Sequence, residues 1–166
     1  MNLSRLARWR VPIAFLFAVP VAVLARPTPR SIVWGGALAI AGELLRIWAA
    51  GHLEKSREVT ASGPYRLLRH PLYVGSTLMG IGLAVASARI VVAVLVGVYL
   101  VALVGAAVQT EEKFLRSRFG ARYDDYLAGA VTERRFSVKR AIANREYRAV
   151  LGMALVFAWL LWRADW

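Results

Sequence analysis

Cysteine is absent from all 166 residues. That excludes disulfides, thiolate zinc sites and a cysteine nucleophile. Acidic residues are scarce, ten against 22 Lys and Arg, which leaves a formal charge of +12. Internal repeats and low-complexity tracts are also missing. The most informative absence is of charge over long stretches. Residues 11–25, 31–42, 71–88, 90–110 and 149–162 contain no Asp, Glu, Lys or Arg.

What fills those stretches is apolar. The chain is 58% hydrophobic with a mean hydropathy of +0.50, well above an ordinary soluble domain. A spanning helix needs about 20 apolar residues, with a lower limit near 17. The third and fourth blocks meet this directly. The second reaches Gly51 only by carrying Glu43 and Arg46. The first and last borrow interfacial side chains, Trp9 and Arg10 at one, Tyr147 and Arg163 at the other, which snorkel to the headgroups. The fold expected is therefore all-α and polytopic, a single membrane domain over 1–166. Its helices fall at 10–26, 31–51, 71–88, 89–110 and 147–163. The Arg-rich start and the first apolar block also admit a cleavable signal over 1–25, although a first transmembrane helix looks the same.

In a soluble protein such a basic chain would suggest nucleic acid. Here the charge is better explained by topology. With the N-terminus inside, seventeen Lys/Arg fall in cytoplasmic segments and four outside, as the positive-inside rule requires. Contact with anionic lipids follows; nucleic acid and metal are not expected partners. Pro27 and Pro29 make an outer turn, and residues 87–89 make a still tighter one, so 71–88 and 89–110 form an antiparallel hairpin. Trp34, Trp159, Trp162 and Trp166 gather at the outer boundary as an aromatic belt. Phe114, Leu115, Phe119, Tyr123, Tyr126 and Leu127 are spaced for a cytoplasmic amphipathic helix broken near Gly120.

Two clusters carry chemistry. In residues 62–75 Gly63-Pro64 makes a turn and Pro71 suits a first helical position. That puts Arg69 and His70 at the start of a helix, on one face with Tyr73. Free backbone N–H groups and the positive helix end favour an anion there. The plainer reading is a basic, aromatic membrane boundary. The second cluster is Glu111-Glu112, expected at the end of the fourth helix, where two carboxylates oppose the macrodipole unless a cation joins them. The plainer reading pairs Glu112 with Arg116 on the surface. The hairpin brings the two clusters side by side, so a zwitterion with an extra cationic centre would fit between them. S-adenosylmethionine has that character. A third feature is Glu43 with Arg46, one turn apart at membrane depth, where each charge is costly. They make either a self-neutralising structural pair or an acceptor site in which Glu43 positions Arg46. His52 reads as an interfacial residue ahead of a base.

Gly63-Pro64-Tyr65, then residues 69–75 (Arg-His-Pro-Leu-Tyr-Val-Gly), Glu111-Glu112 and residues 119–126 resemble the isoprenylcysteine carboxyl methyltransferase family, whose core is shared by phospholipid N-methyltransferases. Leu45-Arg46-Ile47-Trp48-Ala49 resembles the second helix of its bacterial members. The likeness covers about 42–136 and leaves the helix 147–163 outside it. It implies an S-adenosylmethionine-dependent methyltransferase in a bacterial-type inner membrane, with its cofactor site on the cytoplasmic side. Tyr65, Arg69, His70, Leu72, Tyr73, Gly75, Glu111, Glu112, Arg122 and Tyr126 would hold the cofactor. Arg46, Glu43 and Glu112 would act at the reacting centre. The acceptor implied is lipid or lipid-anchored, foremost a carboxylate oriented by Arg46. An amine, with a glutamate as base, or a thiol are the alternatives. A membrane reductase using a nicotinamide cofactor and a non-enzymatic, lipid-binding scaffold are the rival classes.

Overall fold

The computed structural model describes residues 22–54 and 57–164, and among these the fold is all-α. The first expected helix, 10–26, lies almost wholly outside the described residues; its end, 22–24, is helical. Then come α1 (Pro29–His52), a 3₁₀ turn (Gly63–Arg66), α2 (Pro71–Ser87), α3 (Ile90–Phe119), α4 (Ala121–Leu127), α5 (Val138–Ala143) and α6 (Tyr147–Arg163). Two of these, α1 with 24 residues and α3 with 30, are long and apolar enough to cross a membrane, and α2 is a shorter apolar helix. At 1.5 Å per residue the 17-residue α2 and α6 each reach about 26 Å, just short of the roughly 30 Å hydrocarbon core.

Local chemistry sets the boundaries. α1 begins at Pro29, two residues before the expected start, because Thr28 and Ser31 form a reciprocal capping box ahead of a first-position proline. Ser31 Oγ also donates to Ala86 O at 2.9 Å, tying that cap to the end of α2. Ala88 takes a left-handed conformation (φ 49°) between α2 and α3, which gives the tight hairpin. The fourth helix was expected to stop at 110. It runs on to Phe119, because nothing between Thr110 and Phe119 breaks a helix, and a π-helical stretch interrupts it at Leu100–Val104. The break falls at Gly120, with φ 47°, as its sequence position predicts.

α1 and α2 form the closest pair. Gly35, Ala39 and Gly42 on α1 face Gly75, Gly82 and Ala86 on α2, so the backbones touch. A Cβ on Gly82 would lie 2.5 Å from Gly35 O and 2.7 Å from Ala39 N. Small residues let helices approach this closely in a membrane. Gly82→Leu is expected to force the pair apart and cost about 1–3 kcal/mol or more, read as a lower melting temperature in detergent. Gly152→Ala, where nothing lies within 4 Å, should be neutral or mildly stabilising.

α6 packs on α1 at the other end of the bundle. There Leu160 and Ala164 join Ala25, Ile32 and Ala86 in an apolar cluster. Arg163 donates to Ala22 O and Val23 O, and the Trp159 and Trp162 rings meet at 4.9 Å with a tilt of 39°. Trp34, two residues past Ile32 of this cluster on α1, is exposed; Trp166 lies outside the described residues. The segment from Thr132 to Asn144 straps the opposite end of α1. Asn144 Nδ2 donates to Ala50 O and Leu53 O, Arg140 Nε to Gly51 O and Arg134 to His52 O. These bonds satisfy the carbonyls a helix C-terminus leaves open.

Candidate functional site

The hairpin returns α3 beside the start of α2. Pro71 occupies the first turn of α2 with His70 as the N-cap. His70 Nε2 lies 2.9 Å from Glu112 Oε1, so the imidazole N–H donates to the carboxylate across 42 residues of chain. The His70 and Tyr73 rings are 5.9 Å apart. The two clusters expected to meet are thus in hydrogen-bond contact. Arg116 bonds Asp124 at 3.3 Å, which leaves the surface pairing of Glu112 with Arg116 without support. The macrodipole argument changes too. Glu111 and Glu112 sit within α3, whose last turn holds Arg116 and Arg118, so the pair does not oppose a helix end.

α4 closes this end. Tyr126 Oη donates to Tyr65 O at 3.0 Å, and the Tyr123 and Tyr126 rings stand 6.2 Å apart. Burial pushes the Tyr65 phenol far above its ordinary range, with the Glu111 carboxylate adding to the effect. Burial likewise raises Tyr123 and Tyr126. A raised phenol contributes stability that is complete below the ordinary tyrosine value of about 10 and is lost as pH climbs above it. Tyrosinate absorbance of the folded protein should therefore lag that of the denatured chain on alkaline titration.

Beneath lies a cavity of about 1040 Å³, at the upper end of the roughly 300–1,000 Å³ usual for small-molecule sites. Tyr65, Arg69, His70, Tyr73, Glu111 and Tyr126 line its polar end. Arg46, Ser76, Asn144 and Glu146 line its middle. From there Gly80, Leu83, Val96, Leu100, Val104, Leu155, Val156 and Leu160 carry an apolar channel toward Trp159 and Ala22.

Arg46 is more heavily engaged than its helix neighbours suggest. Its Nε donates to Glu146 Oε1 at 2.6 Å, and Glu43 Oε2 stands 3.8 Å away. Its Nη1 donates to Ser76 Oγ and, at 3.5 Å, to Leu72 O. Glu43 is 3% exposed and neither carboxylate oxygen has a hydrogen-bond partner among the described residues. Glu146 escaped the sequence reading; the only clue was an acidic residue just before the last apolar block.

The other expected site residues fall in different places. Leu72 lines the cavity. Gly75 faces α1, where a Cβ would meet Arg46 Cγ at 2.6 Å, so it makes room for the arginine stem. Arg122 is exposed on α4 and is not among the cavity's lining residues. His52, expected at the interface, is buried with Nδ1 3.2 Å from Ser62 Oγ and its ring 6.3 Å from Phe136. Its surroundings are those of a structural histidine.

Comparison with known proteins gives two partial relatives and one family. A cobalt-zinc-cadmium resistance protein, CzcN, of Cupriavidus metallidurans is 34% identical over 87 residues, covering 51% of this chain and 39% of that protein. A nickel-cobalt-cadmium resistance protein, NccN, of Alcaligenes xylosoxydans xylosoxydans is 31% identical over 83 residues, 49% of this chain and 38% of that protein. The likeness thus spans about two fifths of these relatives' length. No solved structure matches. The phospholipid methyltransferase family matches residues 32–122, which hold the α2–α3 hairpin, His70, Glu111, Glu112, Glu43 and Arg46. By that match over more than half its length, the chain belongs to the phospholipid methyltransferase family.

Proposed function

We propose that the protein is an integral membrane methyltransferase that uses S-adenosylmethionine and acts on an acceptor held in the bilayer. The observation that carries this reading is the polar end of a cavity, lined by His70 and Glu111 with His70 bonded to Glu112 beside it, that continues into an apolar channel. The donor set there fits the cofactor. Glu111 and Glu112 offer negative charge to an ammonium and a sulfonium. Arg69 and the first backbone N–H groups of the 17-residue α2 offer positive charge to a carboxylate. Tyr65, Tyr73 and Tyr126 offer aromatic surface.

When bound, the cofactor supplies an electrophilic methyl group whose bonding electron pair stays with sulfur, leaving a neutral thioether. The chain's own work is then positioning and exclusion of water, since such a transfer needs little acid–base help. The apolar channel takes the acceptor's hydrocarbon tail and brings its headgroup to Arg46 and Glu146. A carboxylate acceptor needs Arg46 released from Glu146. An amine acceptor must first lose a proton, for which a cavity carboxylate is the available base; a thiol is the third option. In this reading the N-terminus and the cofactor end face the cytoplasm of a bacterial-type inner membrane. There the exposed Arg116, Arg118 and Arg122 meet anionic lipid headgroups.

The test is transfer of label from methyl-labelled S-adenosylmethionine by the purified protein in lipid-containing detergent. Label is expected in a lipid extract. Its absence from every lipid and thiol offered would refute the proposal, and binding of a nicotinamide cofactor in its place would favour a reductase.

A further inference from the structure

The geometry points to Glu146 as the residue that decides which headgroup charge the cavity accepts: by holding Arg46 it turns carboxylates away. The inference rests on the methyltransferase reading above and concerns the acceptor side of the same cavity. Arg46 is the cation at the middle of the cavity, and Glu146, 7% exposed at its side chain, bonds it at 2.6 Å with Glu43 at 3.8 Å behind. Ser76 Oγ and Leu72 O accept from the same guanidinium. Arg46 therefore stands between two carboxylates. A carboxylate headgroup arriving at Arg46 has either to evict Glu146 or to sit beside two buried carboxylates. Like charges repel strongly where water is thin. A cationic headgroup meets the opposite situation, since Glu146 lines the cavity and attracts it.

Glu146 lies outside the family-matched residues 32–122. It is held in place by its own strap, through Asn144 on Ala50 O and Leu53 O and Arg140 on Gly51 O. The C-terminal segment thereby adds a charged wall to the family core. Glu146 acts through Arg46, as a positioning residue that sets selectivity.

The test uses two probes with the same tail and opposite charge, dodecylamine and dodecanoate. Calorimetry follows their binding to the full chain in neutral detergent near pH 7. Removing or adding one unscreened like charge at contact distance changes affinity by about tenfold or more. Wild type is therefore expected to bind dodecylamine at least about tenfold more tightly than dodecanoate. Glu146→Gln should raise dodecanoate affinity by a similar factor, a gain that mere damage to the fold would not produce. Glu146→Asp should keep the wild-type preference. Equal or reversed preference in wild type, no binding of either probe, or an unchanged preference in Glu146→Gln overturns the inference. Should Glu146→Gln fail to fold, the wild-type preference alone decides. S-adenosylmethionine binding to the same samples separates the two claims. If the cofactor binds and dodecanoate wins, only the role of Glu146 falls; if the cofactor does not bind, the methyltransferase reading falls.

Discussion

Arg46→Met is expected to destabilise the protein by about 3–5 kcal/mol, the usual cost of removing one partner from a buried ion pair. The reason is what the substitution leaves behind. Glu146 loses its 2.6 Å partner, and Glu43, buried with both oxygens lacking hydrogen bonds among the described residues, loses its nearest cation. At membrane depth one stranded charge costs about 2.5–3.5 kcal/mol on insertion scales. Methionine keeps the arginine's apolar stem, so the loss reports charge more than packing. Adding Glu146→Gln to Arg46→Met should recover part of the stability, and the double-mutant cycle gives the coupling directly. Denaturation in detergent checks both values. A loss below about 1 kcal/mol, the range of an exposed pair, would mean that the cluster is not a buried ionic unit.

The second large effect belongs to the cofactor end. His70→Ala is expected to weaken S-adenosylmethionine binding by about tenfold or more, comparable to the loss of one charge-assisted hydrogen bond. His70 aligns the Glu112 carboxylate at 2.9 Å, and Glu112 keeps 40% side-chain exposure. Such a part-exposed pair contributes only about 0–1 kcal/mol to stability, so the melting temperature should barely move. A large fall in binding with little change in folding distinguishes a ligand-facing pair from a structural one. Equal loss of both would make the pair structural.

Much of the α2–α3 hairpin was legible in the chain because short-range chemistry writes it. Pro71 can only begin a helix, residues 87–89 leave no room for a wide loop, and an uncharged block must stay in lipid. The same short-range logic recovered α6 at 147–163 and the break at Gly120. Harder to read were residues with two partners to choose from: that the hairpin sets Glu112 beside His70 was expected, whereas Glu146 beside Arg46 was not. Glu112 has Arg116 four residues away, yet it bonds His70 across the hairpin, because α3 continues as one helix past Thr110 and carries Arg116 round to Asp124. Arg46 has Glu43 one turn away, yet its close partner is Glu146, a hundred residues on. No local pattern announces such a contact; it exists only because the strap from Thr132 to Asn144 folds back onto the end of α1. Gly75 shows the converse. Its motif pointed to a ligand, while its surroundings show that the absent side chain makes room for Arg46 and Gly42.

The most direct trial of the central claim is calorimetric titration of the detergent-purified protein with S-adenosylmethionine, beside a variant carrying Glu111→Ala and Glu112→Ala together. Saturable one-site binding by the wild type, abolished in the variant while its fold persists, is the predicted result. Wild-type protein that takes up no cofactor, or a variant that takes it up equally well, would contradict the claim that the returning end of α3 and the start of α2 enclose it.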